Sequence, residues 1–268
     1  MVLLNEEVCG MKNGNVTHHY DEVFYRYQRE GSLKSARLVL PVVHAEYSIK
    51  SVLDVGCGAG AWLRAHHELA VPEIVGVDGE YVDRSVLLIA QSDFQPRDIT
   101  QPFNLARQFD LVQCLEVAEH VPTARSAMLV DNVVRHGRRV LFSAAVLGQG
   151  GEDHINEQPC EFWRDLFAAR GYRLFDFVRP RIVQRGAIES WYRYNTLFFA
   201  HDSTVDTLST EVKATRVPEA QAIRDYSPLS YRARKFLLKQ LPIDAVSKLA
   251  VWKHEQTIRA MRNRGRIS

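Results

Sequence analysis

Ser51-Val52-Leu53-Asp54-Val55-Gly56-Cys57-Gly58-Ala59-Gly60-Ala61 reads as a short buried strand, a glycine turn and the start of a helix. Val52, Leu53 and Val55 give the apolar run of a central parallel strand. Gly56, Gly58 and Gly60 permit backbone angles and a close approach that a Cβ would forbid. The amide groups at the N-terminus of the following helix then lie open to a ligand. The stretch has the form of a cradle for a nucleotide-type cofactor.

Two cofactors fit that form. Gly56-x-Gly58-x-x-Ala61, with Asp78 further on to bind a ribose, satisfies the loose dinucleotide fingerprint of an NAD-dependent oxidoreductase. The fuller run Asp54-Val55-Gly56-Cys57-Gly58-Ala59-Gly60 instead resembles the first motif of class I S-adenosylmethionine-dependent methyltransferases. The resemblance implies that Asp54, Gly56, Gly58 and Gly60 surround the methionine part of S-adenosylmethionine. A third possibility is a non-catalytic subunit that keeps the cofactor fold for binding alone.

Working outward, Ala61 to Leu69 reads as a helix and Ile74-Val75-Gly76-Val77-Asp78 as a second buried strand. A carboxylate at that strand's end, Asp78, can accept both ribose hydroxyls of an adenosine. Gly79 and Tyr81 come next and line the ribose or adenine side. Gln95 to Ile99 is expected as a third strand at the sheet's edge, since proline is rare in a central strand. Asp98 suits the adenine amino group, with Ile99 against the ring face and Asp93 as the alternate acid. Phe109 to Leu115 forms a fourth strand, and Leu115 closes on the cofactor. It runs into Glu116-Val117-Ala118-Glu119-His120-Val121, a segment similar to the one beside the transferred methyl in many class I O- and N-methyltransferases.

Arg138 to Ala145 is a fifth strand, Glu161 to Arg170 a helix ended by Gly171, and Tyr172–Val178 and Thr196–Ala200 the last two strands. The resemblance covers roughly residues 30 to 200. It implies a Rossmann-like α/β fold, a seven-stranded mostly parallel sheet with helices on both faces. To this the chain adds an N-terminal helical lid and a basic helical C-terminal extension. The expected divisions are 1–45 as the cap, 46–201 as the cofactor domain, and 202–268 as linker and extension. Within the cap, residues 1 to 19 read as a loose lead-in, and Tyr20 to His44 as one or two helices broken near Gly31-Ser32. Tyr25, Ser32, Ser35 and Arg37 are its candidate lid contacts.

Length and composition set bounds. A chain of 268 residues holds one large α/β domain and an appendage, and 46% hydrophobic with 25% charged residues is ordinary for a globular protein. No apolar run approaches the ~20 residues of a membrane span. Glu6 and Glu7 near the start, with no basic segment, do not resemble a secretory leader. Cys9, Cys57, Cys114 and Cys160 form no C-x-x-C pair, which argues against structural zinc and fits a reducing cytoplasm.

Methyl transfer to a hydroxyl needs a proton acceptor. His120 and His154 follow the C-terminal ends of parallel strands, where ligands bind in open sheets, and an imidazole titrates near neutrality. With Glu116 they are the catalytic candidates. Glu116, Glu119, His120 and His154 together are similar to the metal-binding pattern of small-RNA 2′-O-methyltransferases, so Mg²⁺ or Mn²⁺ is a further candidate; the same run also occurs in methyltransferases without metal, and the expectation is turnover without one. Glu157, Gln158, Trp163, Arg181, Trp191, Tyr192 and Asn195 mix polar and aromatic groups as a sugar acceptor would require. Such runs look like those of bacterial methyltransferases of carbohydrate and secondary-metabolite pathways. The expected partner is therefore a small-molecule or glycan acceptor.

The net charge of +2 hides an asymmetry: from Lys213 to Ser268 there are 13 Lys or Arg against 4 Asp or Glu. Tyr226 to Arg266 suggests one or two basic helices interrupted by Pro242. Packing on the domain or in a homodimer, contact with an anionic membrane surface, and nucleic-acid binding all remain open for it. The last is least favoured, since no nucleic-acid module is visible.

Overall fold

The computed structural model describes residues 22–242 and, beyond them, 245–246, 248–249, 251–252 and 256, with side chains described from residue 29 onward. The lead-in expected over 1–19 and the Tyr25 contact lie outside these. The chain opens with α1 (Glu22–His44) and then alternates: β1 (Ser51–Val55), α2 (Ala61–Glu68), β2 (Glu73–Asp78), β3 (Phe94–Pro96), β4 (Leu111–Leu115), α3 (Ser126–Arg135) and β5 (Arg139–Ser143). It continues through α4 (Cys160–Ala168), β6 (Tyr172–Phe175), α5 (Val178–Ile182), α6 (Ser190–Asn195), β7 (Leu197–His201), α7 (Thr210–Lys213), β8 (Arg216–Val217) and α8 (Leu229–Leu238).

The strands form one sheet in the order β3-β2-β1-β4-β5-β7-β6-β8. β1 to β5 run parallel, while β7 enters antiparallel between β5 and β6. Strand residues alternate between two apolar clusters: Val52, Leu111, Leu141 and Phe198 belong to one, and Leu53, Val112, Phe142 and Phe199 to the other. Both faces are thus covered, as near-continuous apolar runs require. The order reverses between β1 and β4, so the crevice at their C-terminal ends is where a ligand settles in such a sheet.

Four differences from the sequence reading have physical causes. α1 runs unbroken through Gly31-Ser32. Ser35 Oγ donates to the Gly31 carbonyl and accepts from the Glu189 amide, and this packing outweighs the ~1 kcal/mol helix cost of one glycine. The third strand is Phe94–Pro96 rather than 95–99; it does lie at the edge, and Asp98 turns the chain away from it by taking the Thr100 amide on its carboxylate and the Gln101 amide on its carbonyl. The Trp191-to-Asn195 run, read as acceptor contacts just before the last strand, is the short helix α6. The stretch read as a linker from 202 buries Leu208 and Val212 and adds β8 beside β6, giving eight strands instead of seven. Beyond it, α8 ends before Pro242 and helix resumes at 245, the expected interruption.

Candidate functional site

The glycine turn wraps the end of β1. Gly56 and Cys57 donate their amides to the Val77 carbonyl, which ties the turn to β2. The Gly58 amide donates to Oδ2 of Asp78 at 2.7 Å, and Oδ1 accepts from the Gly79 amide at 2.7 Å and the Tyr81 hydroxyl at 2.5 Å. Asp78 is 4% exposed, and only these donors make its burial tolerable. Cys57 is a packed thiol, its sulfur against Gly76 of β2 and its pKa pushed up by burial.

Asp54, on the last turn of β1, is 3% exposed, and burial lifts its carboxyl to about 7, with the nearby Asp78 charge adding to the rise. Gln113 opposes it in register on β4 and favours the ionised form. At Gly58, with φ +51, an added Cβ would meet nothing within 4 Å. The space over Gly58 is thus open to a ligand, although the amides of Gly56, Cys57, Gly58 and Gly60 are themselves taken by Val77, Asp78 and Cys57. Asp98 lies exposed beyond β3, its Oδ1 taking the Thr100 amide and hydroxyl, which hold its carboxyl below the usual range. Ile99 and Leu115 are both buried, at 8% and 6% exposure.

A second cluster follows β4. Glu116 takes a left-handed backbone, φ 55, rare for a side-chain-bearing residue outside functional sites. Its Oε2 accepts from Gln149 Nε2 at 3.4 Å, and Gln149 Oε1 accepts from Asn195 at 2.8 Å. Oε1 of Glu116 and Oε2 of Glu119 are buried without a partner. Burial raises both carboxyls, Glu119 well above its ordinary value with the Glu116 charge adding to it, so the pair holds a proton or awaits a cation.

Two imidazoles face these acids. His120 Nδ1 lies 3.2 Å from the Asp153 carbonyl, and since a carbonyl only accepts, Nδ1 carries the hydrogen and Nε2 keeps a lone pair. Burial and the neighbouring His154 lower the His120 pKa. His154 Nδ1 meets Oε1 of Glu157 at 2.9 Å, by the same logic leaving its Nε2 free. The two rings meet edge-on at 5.1 Å, and ligand atoms of Glu119, His120 and His154 lie within 4.8 Å of one another. Carboxylate oxygen and oriented imidazole nitrogen make a donor set that fits a hard divalent cation as well as a proton relay.

The structure brings together Asp54, Gly56, Gly58, Gly60, Asp78 and Gly79 at one end of the crevice, and Glu116, Glu119, His120 and His154 at the other. It does not bring the expected acceptor contacts there as free groups. Glu157 spends both oxygens on the Gly148 and Gly150 amides and His154, so it orients the imidazole. Trp163 is 2% exposed, packed against Phe142 and Phe162 in the core. Tyr192, 5% exposed, shares a hydrogen bond with Ser32 and sets its ring against Trp62. Gln158 donates to Asn156, Arg181 pairs with Glu46, Arg37 with Glu68, and Trp191 packs partly buried beside Tyr192. Asn195 alone of that set also borders a cavity of 270 Å³, whose walls include Val146, Pro159, Ile223 and Phe236. Gln113, His66 and Gln149 escaped the sequence reading. A lone glutamine inside the apolar run of β4 was the available signal for the first.

Comparison with known proteins gives the family. The chain matches the family described as "Methyltransferase domain" over residues 25–176. It is 32% identical over 131 residues to a ubiquinone biosynthesis O-methyltransferase of Stutzerimonas stutzeri (strain A1501), covering 44% of this chain and 56% of that one. It is 34% identical over 140 residues to the protein of the same name from Pseudomonas syringae pv. tomato, covering 49% and 54%. The chain thus spans about half the length of the curated relatives it matches. Among solved structures, the sugar N-methyltransferase KedS8 from Streptoalloteichus sp. ATCC 53650 shares the fold, with a TM-score of 0.52 at 20% identity over 75% of this chain and 98% of that one. The chain belongs to the methyltransferase-domain family, in its class I, S-adenosylmethionine-dependent form.

Proposed function

We propose that this methyltransferase methylates a hydroxyl of a small acceptor, a sugar or secondary metabolite, with His154 as the proton acceptor. The observation that carries the reading is the His154–Glu157 pair at 2.9 Å, which puts the hydrogen on Nδ1 and leaves the lone pair on Nε2, beside Gly151. The O-methyltransferase names of the curated relatives support oxygen as the accepting atom.

Asp54 and the glycine turn would hold the aminoacyl end of S-adenosylmethionine and Asp78 its ribose. Asp98 and Ile99 would hold the adenine. When bound, the cofactor supplies a sulfonium methyl whose C–S bond breaks towards sulfur as the acceptor oxygen bonds to carbon. His154 Nε2 takes the hydroxyl proton, and Glu157 stabilises the imidazolium that forms. Alignment does much of the rest, since an in-line displacement gains most from fixed geometry.

A second reading is favoured by the two orphaned carboxylate oxygens: a divalent cation held by Glu119, His120 and His154 beside Glu116. A bound cation would lower the hydroxyl's pKa directly. Methylation of a panel of glycosides and phenols, followed by mass spectrometry, tests the function. His154→Ala should cut kcat by about 10²–10⁴ with S-adenosylmethionine affinity kept. Turnover that survives a chelator supports the histidine base; loss with rescue by Mg²⁺ or Mn²⁺ supports the cation. Tight NADH binding with no S-adenosylmethionine binding would overturn both.

A further inference from the structure

The C-terminal extension lies outside the matched family region and carries a surface that the proposed reaction does not use. Six large apolar side chains there are between 44% and 80% exposed: Leu229, Phe236, Leu237, Leu241, Leu249 and Trp252. At 100° per residue, Leu229, Phe236 and Leu237 fall within a sector of about 100° on α8. The opposite face is docked: Leu238 is buried, Lys235 pairs with Asp225 at 2.7 Å, and Arg234 donates to the Gln149 carbonyl. Leu229 and Leu237 therefore face away from the domain, and Phe236, 67% exposed, stands at the rim of the cavity between α8 and the domain. Arg232 and Lys239 border the apolar sector on one side, Arg232 held by the Asp225 and Ser227 carbonyls. Past Pro242 the pattern repeats, with Lys248, Leu249 and Trp252 exposed on resumed helix and Val246 and Val251 half-buried.

Charge selects the occupant. From Leu229 to Ser268 the sequence has ten Lys or Arg and two Asp or Glu, while the whole chain carries only +2. A second copy laid against this face would bring two such positive charges together. A nucleic acid would meet Leu, Phe and Trp at the centre of the surface, where phosphates gain nothing. An anionic bilayer satisfies both features at once, taking the apolar side chains into the acyl boundary and the cations among its headgroups. Among the described residues no helix is long and apolar enough to cross a membrane, so the segment lies on the surface.

We propose that α8 and the helical segment after Pro242 form an interfacial anchor for anionic lipid. The test is flotation of the full chain with vesicles rich in phosphatidylglycerol and with vesicles of phosphatidylcholine alone. Partitioning onto the anionic vesicles should exceed that onto neutral ones by at least about tenfold and fall in high salt. Leu229→Glu/Leu237→Glu should lower it by about tenfold or more, with affinity for S-adenosylmethionine kept as the check on folding. Lys239→Glu/Lys248→Glu should do the same on anionic vesicles only, and decides the matter if the first variant fails to fold. No binding to anionic vesicles, binding that ignores both variants, or lipid-free self-association abolished by the leucine variant would each overturn the anchor. Salt-sensitive RNA binding without vesicle binding would overturn it in favour of a nucleic-acid surface.

Discussion

Nε2 of His66 donates to Oε1 of Gln113 at 3.1 Å, and this one buried bond fixes the direction of a polar chain that ends at Asp54. An amide oxygen only accepts, so His66 carries its hydrogen on Nε2, and its Nδ1 accepts from His44 Nε2 at 3.0 Å. Gln113 is thereby left with its N–H groups free of any other partner, directly opposite Asp54. The chain His44–His66–Gln113 points its donors toward Asp54, the carboxylate proposed to meet the cofactor's amino group.

This arrangement holds His66 neutral. Burial, aided by His44, depresses its pKa to about 3, against about 6.5 in an unfolded chain. Between those values the unfolded state takes the proton and the folded state does not. The stability it confers is fully present above pH 6.5 and is lost as pH falls, by about 1.4 kcal/mol per unit. Urea unfolding at several pH values should show this slope, and His66→Gln should flatten it while lowering stability near pH 7.5. Parallel slopes in the two proteins would refute a neutral His66.

Asp54 works in the opposite sense for binding. Its carboxyl, lifted to about 7 by burial, is partly protonated at neutral pH in the free protein. Holding a cationic amino group requires the anion, so cofactor binding expels a proton below pH 7. Affinity for S-adenosylmethionine should rise about fivefold from pH 6 to 7, then flatten as the ligand's own amino group, near 7.7–8.0, begins to lose its charge. Calorimetry in buffers of different ionisation enthalpy should detect the released proton. Asp54→Asn should bind weakly with no such pH dependence.

Legibility followed periodicity. Val52 to Gly60 and Ile74 to Asp78 gave up strand, turn and acid because a central parallel strand is apolar on both faces and its turn must be glycine. The failures were of packing. Trp163 and Tyr192 are aromatic in sequence whether they touch a sugar or fill a core, and only the sheet shows that they fill it. Glu157 looked free because its two amide donors, at Gly148 and Gly150, are backbone groups that no side-chain pattern announces. The continuity of α1 through Gly31 rests on Glu189, 158 positions away in sequence.

Gly56 and Gly58 separate fold from function. Both have positive φ, at +81 and +51, so alanine strains either backbone by about 1–2 kcal/mol. At Gly56 the added Cβ would lie 2.4 Å from a Val117 methyl, and at Gly58 it would meet no protein atom. Gly56→Ala should therefore lose the larger share of thermal stability. Gly58→Ala should lose only the few degrees of melting temperature that the backbone strain costs, yet lose S-adenosylmethionine affinity by about tenfold or more, because its methyl would occupy the space proposed for the ligand. Equal affinity in Gly58→Ala and the parent would remove the cradle from this turn.

Asp78, the carboxylate proposed to hold the ribose, carries an internal competitor. Tyr81 is 82% exposed, yet its hydroxyl donates to Oδ1 of Asp78 at 2.5 Å, on an oxygen a ribose hydroxyl would use. A hydrogen bond to a charged group is worth about 1.5–3 kcal/mol, and it acts with the seat of the ring against Gly79 to hold Tyr81 in place. Nucleoside binding has to displace it or share the oxygen. Tyr81→Phe should then bind adenosine and S-adenosylmethionine several-fold more tightly, whereas Asp78→Ala should lose at least tenfold for both. Titration of the three proteins with adenosine alone isolates the ribose contact from the aminoacyl end. Weaker binding by Tyr81→Phe would make the hydroxyl a ligand contact rather than a competitor, and full affinity in Asp78→Ala would move the ribose away from β2.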